Sequence, residues 1–351
     1  MKASLKPKES TTTGEIRQNI IDNTWVVMAS GRAKRPDEFK EKKINTITNL
    51  PKYKDNCVFC NLGKYPQEPD TLRLPNDPDK WQVHIFPNKY PAFRPKKEFK
   101  AWQKGPYRTI EAIGYHEVVA PKHHNQFEHA MTEQELALEL EAITLRYREL
   151  KTQPSVNYIQ VIKNHGASAG ASIEHPHHQI FTTPTLPNDV ALGLNNAELY
   201  YKQYGTDPFT AMVAYEQESQ ERIVYEEDFT LAFCPYASKS PVVIWLMPKE
   251  PEPYFEHTTP EKRLHIAKAM KEVLRRLYKG LNNPPYNYYI HSAPCDDTGF
   301  VCNLATFKHY RWHIEIQPRL SILAGFELGT GMEINTALPE ESAEFLRNII
   351  L

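Results

Sequence analysis

The order of short motifs in the first half of this chain recurs in the second half, and no other feature limits the fold as much. Pro121-Lys122 followed by Phe127-Glu128-His129 is matched by Pro248-Lys249 followed by Phe255-Glu256-His257. A helix start comes next in both copies. Thr132 with Glu135 three residues on forms a capping box, and Thr259 with Pro260 at the first helical position forms a second start. Leu136, Leu140, Ile143, Tyr147 and Leu150 then recur at helical spacing, as do Ile266, Met270, Val273 and Leu277. Gly280 stands where a C-terminal cap belongs. Strand-like stretches follow, Asn157–Asn164 in one copy and Asn287–Ile290 in the other. Matched features in the same order predict an internal duplication. The expected fold is α+β, two fused strand-rich halves with one long helix packed on each, covering 14–190 and 191–351.

The copies differ where chemistry is expected. The first carries Glu174-His175-Pro176-His177-His178-Gln179-Ile180-Phe181, directly after the loop Asn164-His165-Gly166-Ala167-Ser168-Ala169-Gly170-Ala171-Ser172. If the stretch is a strand, His175, His177 and Gln179 share one face, while Pro176 and His178 point the other way. An imidazole nucleophile, an amide to hold a phosphoryl oxygen and a loop rich in N–H donors suit attack on phosphorus. A surface histidine cluster, or a single metal site using all three rings, is the plain alternative. The second copy reads Trp312-His313-Ile314-Glu315-Ile316 and has lost that chemistry, which leaves one active half and one supporting half.

Cys57-Val58-Phe59-Cys60 is either half of a metal site or a redox pair. Its surroundings of lysine, proline and asparagine lack the strand-to-helix setting of a redox motif, so metal is favoured, with two more ligands, most simply histidines, supplied from elsewhere. Arg32 and Arg35 lie three apart in a basic turn and could hold phosphates. With 351 residues, 40% of them hydrophobic, the chain can bury a sizeable core, and a formal net charge of -1 argues against nucleic acid or an anionic membrane as partner. No stretch approaches the ~18 apolar residues that cross a bilayer, and Met1–Lys8 has no signal-peptide run. Five sparse cysteines fit free thiols. The expectation is a cytoplasmic protein.

HPHHQ after a glycine loop, an upstream CxxC and two similar halves resemble the galactose-1-phosphate uridylyltransferases of the histidine-triad superfamily, from about Arg32 to Phe326. The Asn157–Gly170 stretch and Gly325–Gly331 also resemble the family's ADP-glucose phosphorylase branch. The resemblance implies two histidine-triad-like halves of mainly antiparallel sheet. It implies a ping-pong reaction in which His177 attacks the α-phosphorus of a nucleotide sugar while Gln179 holds a phosphoryl oxygen. UDP-glucose and galactose 1-phosphate would then give glucose 1-phosphate and UDP-galactose. The alternative is phosphorolysis of ADP-glucose or a UDP-sugar by inorganic phosphate. It implies a structural zinc on Cys57, Cys60, His124 and His175, with His123 adjoining as a rival ligand. Arg32, Arg35, Asn88, Asn164, Gly170 and Ser172 match nucleotide- and phosphate-side positions, and Glu327 matches a hexose contact. Lys89, Ser321, Phe326 and Glu333 depart from the family pattern. His291 and His313 match two ligands of a second metal found in some members, but Glu315 replaces a histidine, so no full second site is expected. Nucleotide sugar and sugar 1-phosphate are the implied partners, and a homodimer is implied by analogy. His84, His116, His129 and the remaining motif-free histidines are expected to be ordinary surface or packed residues.

Overall fold

The computed structural model describes residues 14–29, 36–40, 50–64, 71–96, 98, 100–295 and 307–351. Arg32, Arg35 and Cys302 lie outside the described residues. In chain order the elements are β1 (Glu15–Gln18), β2 (Trp25–Met28), β3 (Leu72–Leu74), β4 (Val83–Pro87), β5 (Ala101–Lys104), β6 (Tyr107–Ile110), β7 (His116–Pro121), α1 (Glu133–Leu150), β8 (Tyr158–His165) and β9 (His178–Thr183). Next come α2 (Asn188–Tyr204), α3 (Pro208–Ser219), β10 (Ile223–Glu226), β11 (Thr230–Phe233), β12 (Ile244–Pro248) and α4 (Pro260–Gly280). The chain ends with β13 (Tyr286–His291), β14 (His313–Pro318), α5 (Gly325–Thr330), β15 (Ile334–Asn335) and α6 (Pro339–Arg347).

One antiparallel sheet of ten strands runs β10-β11-β12-β14-β13-β8-β9-β7-β4-β3. Outward from its centre the order is β8, β9, β7, β4, β3 on one side and β13, β14, β12, β11, β10 on the other. The duplication seen in the motifs therefore reappears as matching strand orders about the β8–β13 seam. There Tyr286 pairs with His165 and Ile290 with Val161.

Alternation sorts the side chains of this sheet. Ile159, Val161, Ile180, Tyr288, Ile290, Ile314 and Ile316 face α1 and α4, whose apolar stripes complete the main core. Thr132 caps α1 through the expected capping box with Glu135, and the Thr259 hydroxyl accepts the N–H of Lys262 at the start of α4. On the other face of the C-terminal half, Val190 and Leu194 of α2 and Phe209 and Val213 of α3 pack on Leu231, Phe233 and Trp245. The repeated motifs do not mark these two helices. On that same face of the N-terminal half, Cys57 and Phe59 pack on Phe86, Val118 and Ala120. The hairpin of β1 and β2 pairs in parallel with β15 and is tied to the C-terminal half by Arg17, which donates to Glu340 and to the Tyr236 carbonyl.

Two local expectations change. Gly280 does not cap α4 but ends it, with Leu281 as the cap, and a Cβ there would come 3.1 Å from Ile349 and 3.2 Å from Phe345. That glycine serves close helix packing and not a left-handed turn. The histidine stretch is not all strand either. Ladder pairing begins only at His178, because Pro176 has no N–H to give and the His175 carbonyl is taken by a side chain.

Beneath β9, on the helix face, lies a buried polar cluster. The Lys163 ammonium is 2.6 Å from Glu128, and His178 Nδ1 is 3.1 Å from Glu139, all four side chains being almost fully buried. The His178 ring also bonds the Tyr288 hydroxyl of the other half. Removing one member leaves a bare charge in the core, so Lys163→Ala is expected to lower unfolding free energy by about 3–5 kcal/mol in urea denaturation, far more than a surface lysine change. A loss below about 1 kcal/mol would show that the ion pair carries no such weight.

Candidate active site

The site is built where β8 leaves the sheet and β9 enters it. Gly166 (φ 82) and Gly170 (φ 87) bracket a single tight turn over Ala167–Ala169 and supply the left-handed backbone it needs. The turn is pinned from the other half. Asn287 Nδ2 donates to Asn164 Oδ1 at 2.7 Å and to the Ala169 carbonyl at 2.8 Å, across the β8–β13 seam. A cavity of about 140 Å³ under this loop is lined by Asn164, Gly166, Ser172 and His175 among others. Asn164 and Ser172 line this cavity, and Gly170 closes the turn beside it.

Cys57, Cys60, His124 and His175 converge, with ligand atoms all within 4.8 Å of one another. Cys57 Sγ is 3.7 Å from His175 Nδ1, and Cys60 Sγ is 3.5 Å from both His175 Nδ1 and His124 Nδ1. A tetrahedral ion with zinc-like bond lengths separates sulfur and nitrogen donors by about 3.5 Å, so the four residues fit a closed site. His175 Nε2 donates to the Pro121 carbonyl at 2.8 Å, which leaves Nδ1 as a lone pair facing the two sulfurs. Burial pushes the Cys60 thiol above its ordinary range, and a bound cation would reverse that shift. Of the two adjacent histidines, the structure brings His124 to the cysteines.

His177 is 7% exposed, and its Nδ1–H donates at 2.8 Å to the backbone carbonyl of His175. That bond fixes the tautomer and leaves Nε2 with the lone pair. Burial holds the imidazole down to about 4, so it is neutral near pH 7. The Phe59 ring, from within the CxxC, packs edge-on against both His177 and His175. His178 points to the opposite face, as alternation required.

Gln179 Oε1 is 2.8 Å from His116 Nε2 on the neighbouring β7. Asn88 Nδ2 lies 3.1 Å from the same ring nitrogen, and the ring stacks on Phe181. His116 was expected to be an ordinary packed residue, and its place beside Gln179 depends on the β7–β9 register, which no local pattern encodes. Glu327 is on α5, where its carboxylate accepts the Ala324 N–H. Among the described residues no hydrogen bond joins it to the His175–Gln179 group.

The other half repeats part of this construction. His313 Nδ1 donates at 3.1 Å to the carbonyl of Arg311, two residues back, just as His177 does to His175. His291 stacks on it with centroids 4.7 Å apart. Glu315 stands where the first half has Gln179 and accepts the Trp245 indole N–H at 3.1 Å. Both histidines and Glu315 line a cavity of about 370 Å³.

A buried neutral histidine with a fixed tautomer, an amide on the same face, a glycine loop and a Cys2His2 cluster come together on a duplicated sheet, an arrangement chemically suited to attack on phosphorus. A family model described as galactose-1-phosphate uridyl transferase, N-terminal domain, matches residues 3–187, and a domain of unknown function matches 114–349. An ADP-glucose phosphorylase from Arabidopsis thaliana is 32% identical, over 96% of this chain and 93% of its own. A galactose-1-phosphate uridylyltransferase from Thermotoga maritima is 28% identical, over 95% of this chain and 98% of its own. The crystal structure of an ADP-glucose phosphorylase from Arabidopsis thaliana with bound ADP-glucose superposes with a TM-score of 0.80 at 29% identity, covering 97% of this chain and 99% of that one. The chain belongs to the galactose-1-phosphate uridyl transferase family, whose members are nucleotidyltransferases. Among the described residues no helix is long and apolar enough to cross a membrane.

Elemental analysis of the purified chain is expected to find about one metal ion per chain. Cys60→Ser should lose that ion and lower thermal stability. If Cys60→Ser kept a full complement of metal, the ion would have to be held elsewhere.

Proposed function

We propose that the chain transfers a nucleotidyl group by a ping-pong route through His177, from a nucleotide sugar to a phosphate-bearing acceptor. The observation that carries this reading is the Nδ1–H bond from His177 to the His175 carbonyl, which leaves Nε2 as a neutral nucleophile on the same face as Gln179. In the first step the Nε2 lone pair attacks the α-phosphorus and an N–P bond forms. The P–O bond to the sugar phosphate breaks, and sugar 1-phosphate leaves with the electron pair. The positive charge gained by the ring is shared through Nδ1–H with the carbonyl. In the second step an acceptor phosphate oxygen attacks phosphorus, and the N–P electrons return to the imidazole. The Gln179 amide nitrogen holds a non-bridging oxygen in both steps. An amide cannot deliver a proton to a leaving group, which disfavours a simple hydrolase. Asn164, Gly170 and Ser172 cradle the remaining phosphate, with Asn88 on the nucleoside side, and Arg32 and Arg35 are assigned to the same phosphates. Zinc is the ion proposed for Cys57, Cys60, His124 and His175, where it holds the His175 ring and takes no part in bond making. The halves are proposed to divide near residue 190.

The family match and the uridylyltransferase relatives support UDP-glucose as donor and hexose 1-phosphate as acceptor, with Glu327 assigned to the hexose. The 32% identity to an ADP-glucose phosphorylase, with Ser321, Phe326 and Glu333 departing at the sugar side, favours a second reading in which ADP-glucose is cleaved by inorganic phosphate. Protein incubated with UDP-glucose or ADP-glucose labelled at the α-phosphorus should become radioactive, and His177→Asn should not. The variant's turnover is expected to fall by on the order of 10^4-fold or more. Label released only by galactose 1-phosphate after UDP-glucose selects the first reading; label acquired only from ADP-glucose and released by phosphate selects the second. Full activity in His177→Asn would end both.

A further inference from the structure

We infer that His116 is a positioning residue that sets the orientation of the Gln179 amide. The inference rests on the proposed role of Gln179 and concerns how a residue on the adjacent strand makes that role available. The donors and acceptors around the ring decide the matter. The backbone N–H of Ala92 donates to His116 Nδ1 at 3.1 Å. A backbone N–H cannot act as acceptor, so Nδ1 carries the lone pair and the proton of the neutral ring is on Nε2. Burial favours that neutral form. The group 2.8 Å from Nε2 must therefore be the Gln179 carbonyl oxygen and not its nitrogen. The opposite tautomer would set two donors against each other at Ala92 and two acceptors at Gln179. The assigned one leaves only the Asn88 amide nitrogen close to a ring N–H, and Asn88 is itself turned that way because its Oδ1 accepts the N–H of Tyr90 at 2.9 Å.

With its oxygen engaged by His116, Gln179 presents its NH2 group away from β7, and among the described residues no protein acceptor takes it. An amide is nearly symmetric in shape and could rotate by half a turn. In the wrong orientation it would offer an oxygen to a phosphoryl oxygen and repel it. His116 removes that orientation, and its stacking on Phe181, at 4.0 Å between centroids, holds the ring in place. The effect belongs to the bond-making steps, where charge on the phosphoryl oxygens is redistributed, more than to capture of the nucleotide sugar.

The test is a double-mutant cycle read by single-turnover transfer of label to the protein. His116→Phe keeps a ring on Phe181 without a donor, and His116→Leu serves as a second donor-free variant. The one that retains wild-type metal content and melting temperature is carried forward. It is expected to slow nucleotidylation by about 10- to 100-fold with little change in KM, while Gln179→Ala costs about 100-fold. The double variant is expected to be no slower than Gln179→Ala within about twofold. His116→Gln, whose amide nitrogen can still donate to Gln179, should recover most of the rate. Losses that multiply in the double variant, with His177→Asn inactive, would overturn the role of His116 and leave the His177 reading intact. An active His177→Asn would overturn both.

Discussion

The antiparallel pairing of β8 with β13 is the contact on which the rest of the molecule depends. It turns two five-stranded halves into one ten-stranded sheet and sets α1 against α4 on one face. It also removes an edge strand from each half, which an isolated half would have to shield. Near one end of the seam Asn287 is paired with Asn164, so the same register that fuses the halves delivers a side chain from one to the glycine loop of the other. The supporting half therefore does more than complete a core. It braces the turn between Gly166 and Gly170 in the first half.

The sheet then separates structure from chemistry by alternation alone. Odd-numbered residues of β8 and even-numbered residues of β9 and β13 go to the helix side, where apolar packing and the Lys163–Glu128 pair make rearrangement costly. Their neighbours face the other way and include Asn164, Gln179, Asn287 and His291. The rigid side is thus one residue away from the working side all along the chain. His178 shows this most directly, bonded to Tyr288 and held by Glu139 between two residues assigned to the opposite face.

Much of this was legible in the sequence because the signals were local. The capping box at Thr132, the apolar stripes of α1 and α4 and the CxxC appear where they are expected, while the strand expected through His175, His177 and Gln179 pairs only from His178 onward. What the sequence does not show has a different cause. The contacts of His116 with Gln179 and of Asn287 with Asn164 are created by strands that meet across the fold, and a single chain does not show which residues will be opposite. Gly280 carried a correct residue type with the wrong reason, since helix ends and close helix crossings both select glycine. Helices α2 and α3 have no counterpart among the described residues of the other half, so the repeated motifs offer no template for them.

The bond from His177 to the carbonyl of residue 175 limits what a substitution can do to the site. Its acceptor is main chain, so no substitution at 175 removes it. The second half makes the same point. Arg311 stands where the first half has His175, its carbonyl holds His313, and its guanidinium reaches the Pro248 carbonyl as the His175 ring reaches that of Pro121. At His175 the side chain faces the cysteines and the backbone carbonyl holds the His177 ring, so a change of side chain there can empty the Cys2His2 cluster while leaving the acceptor for His177 in place.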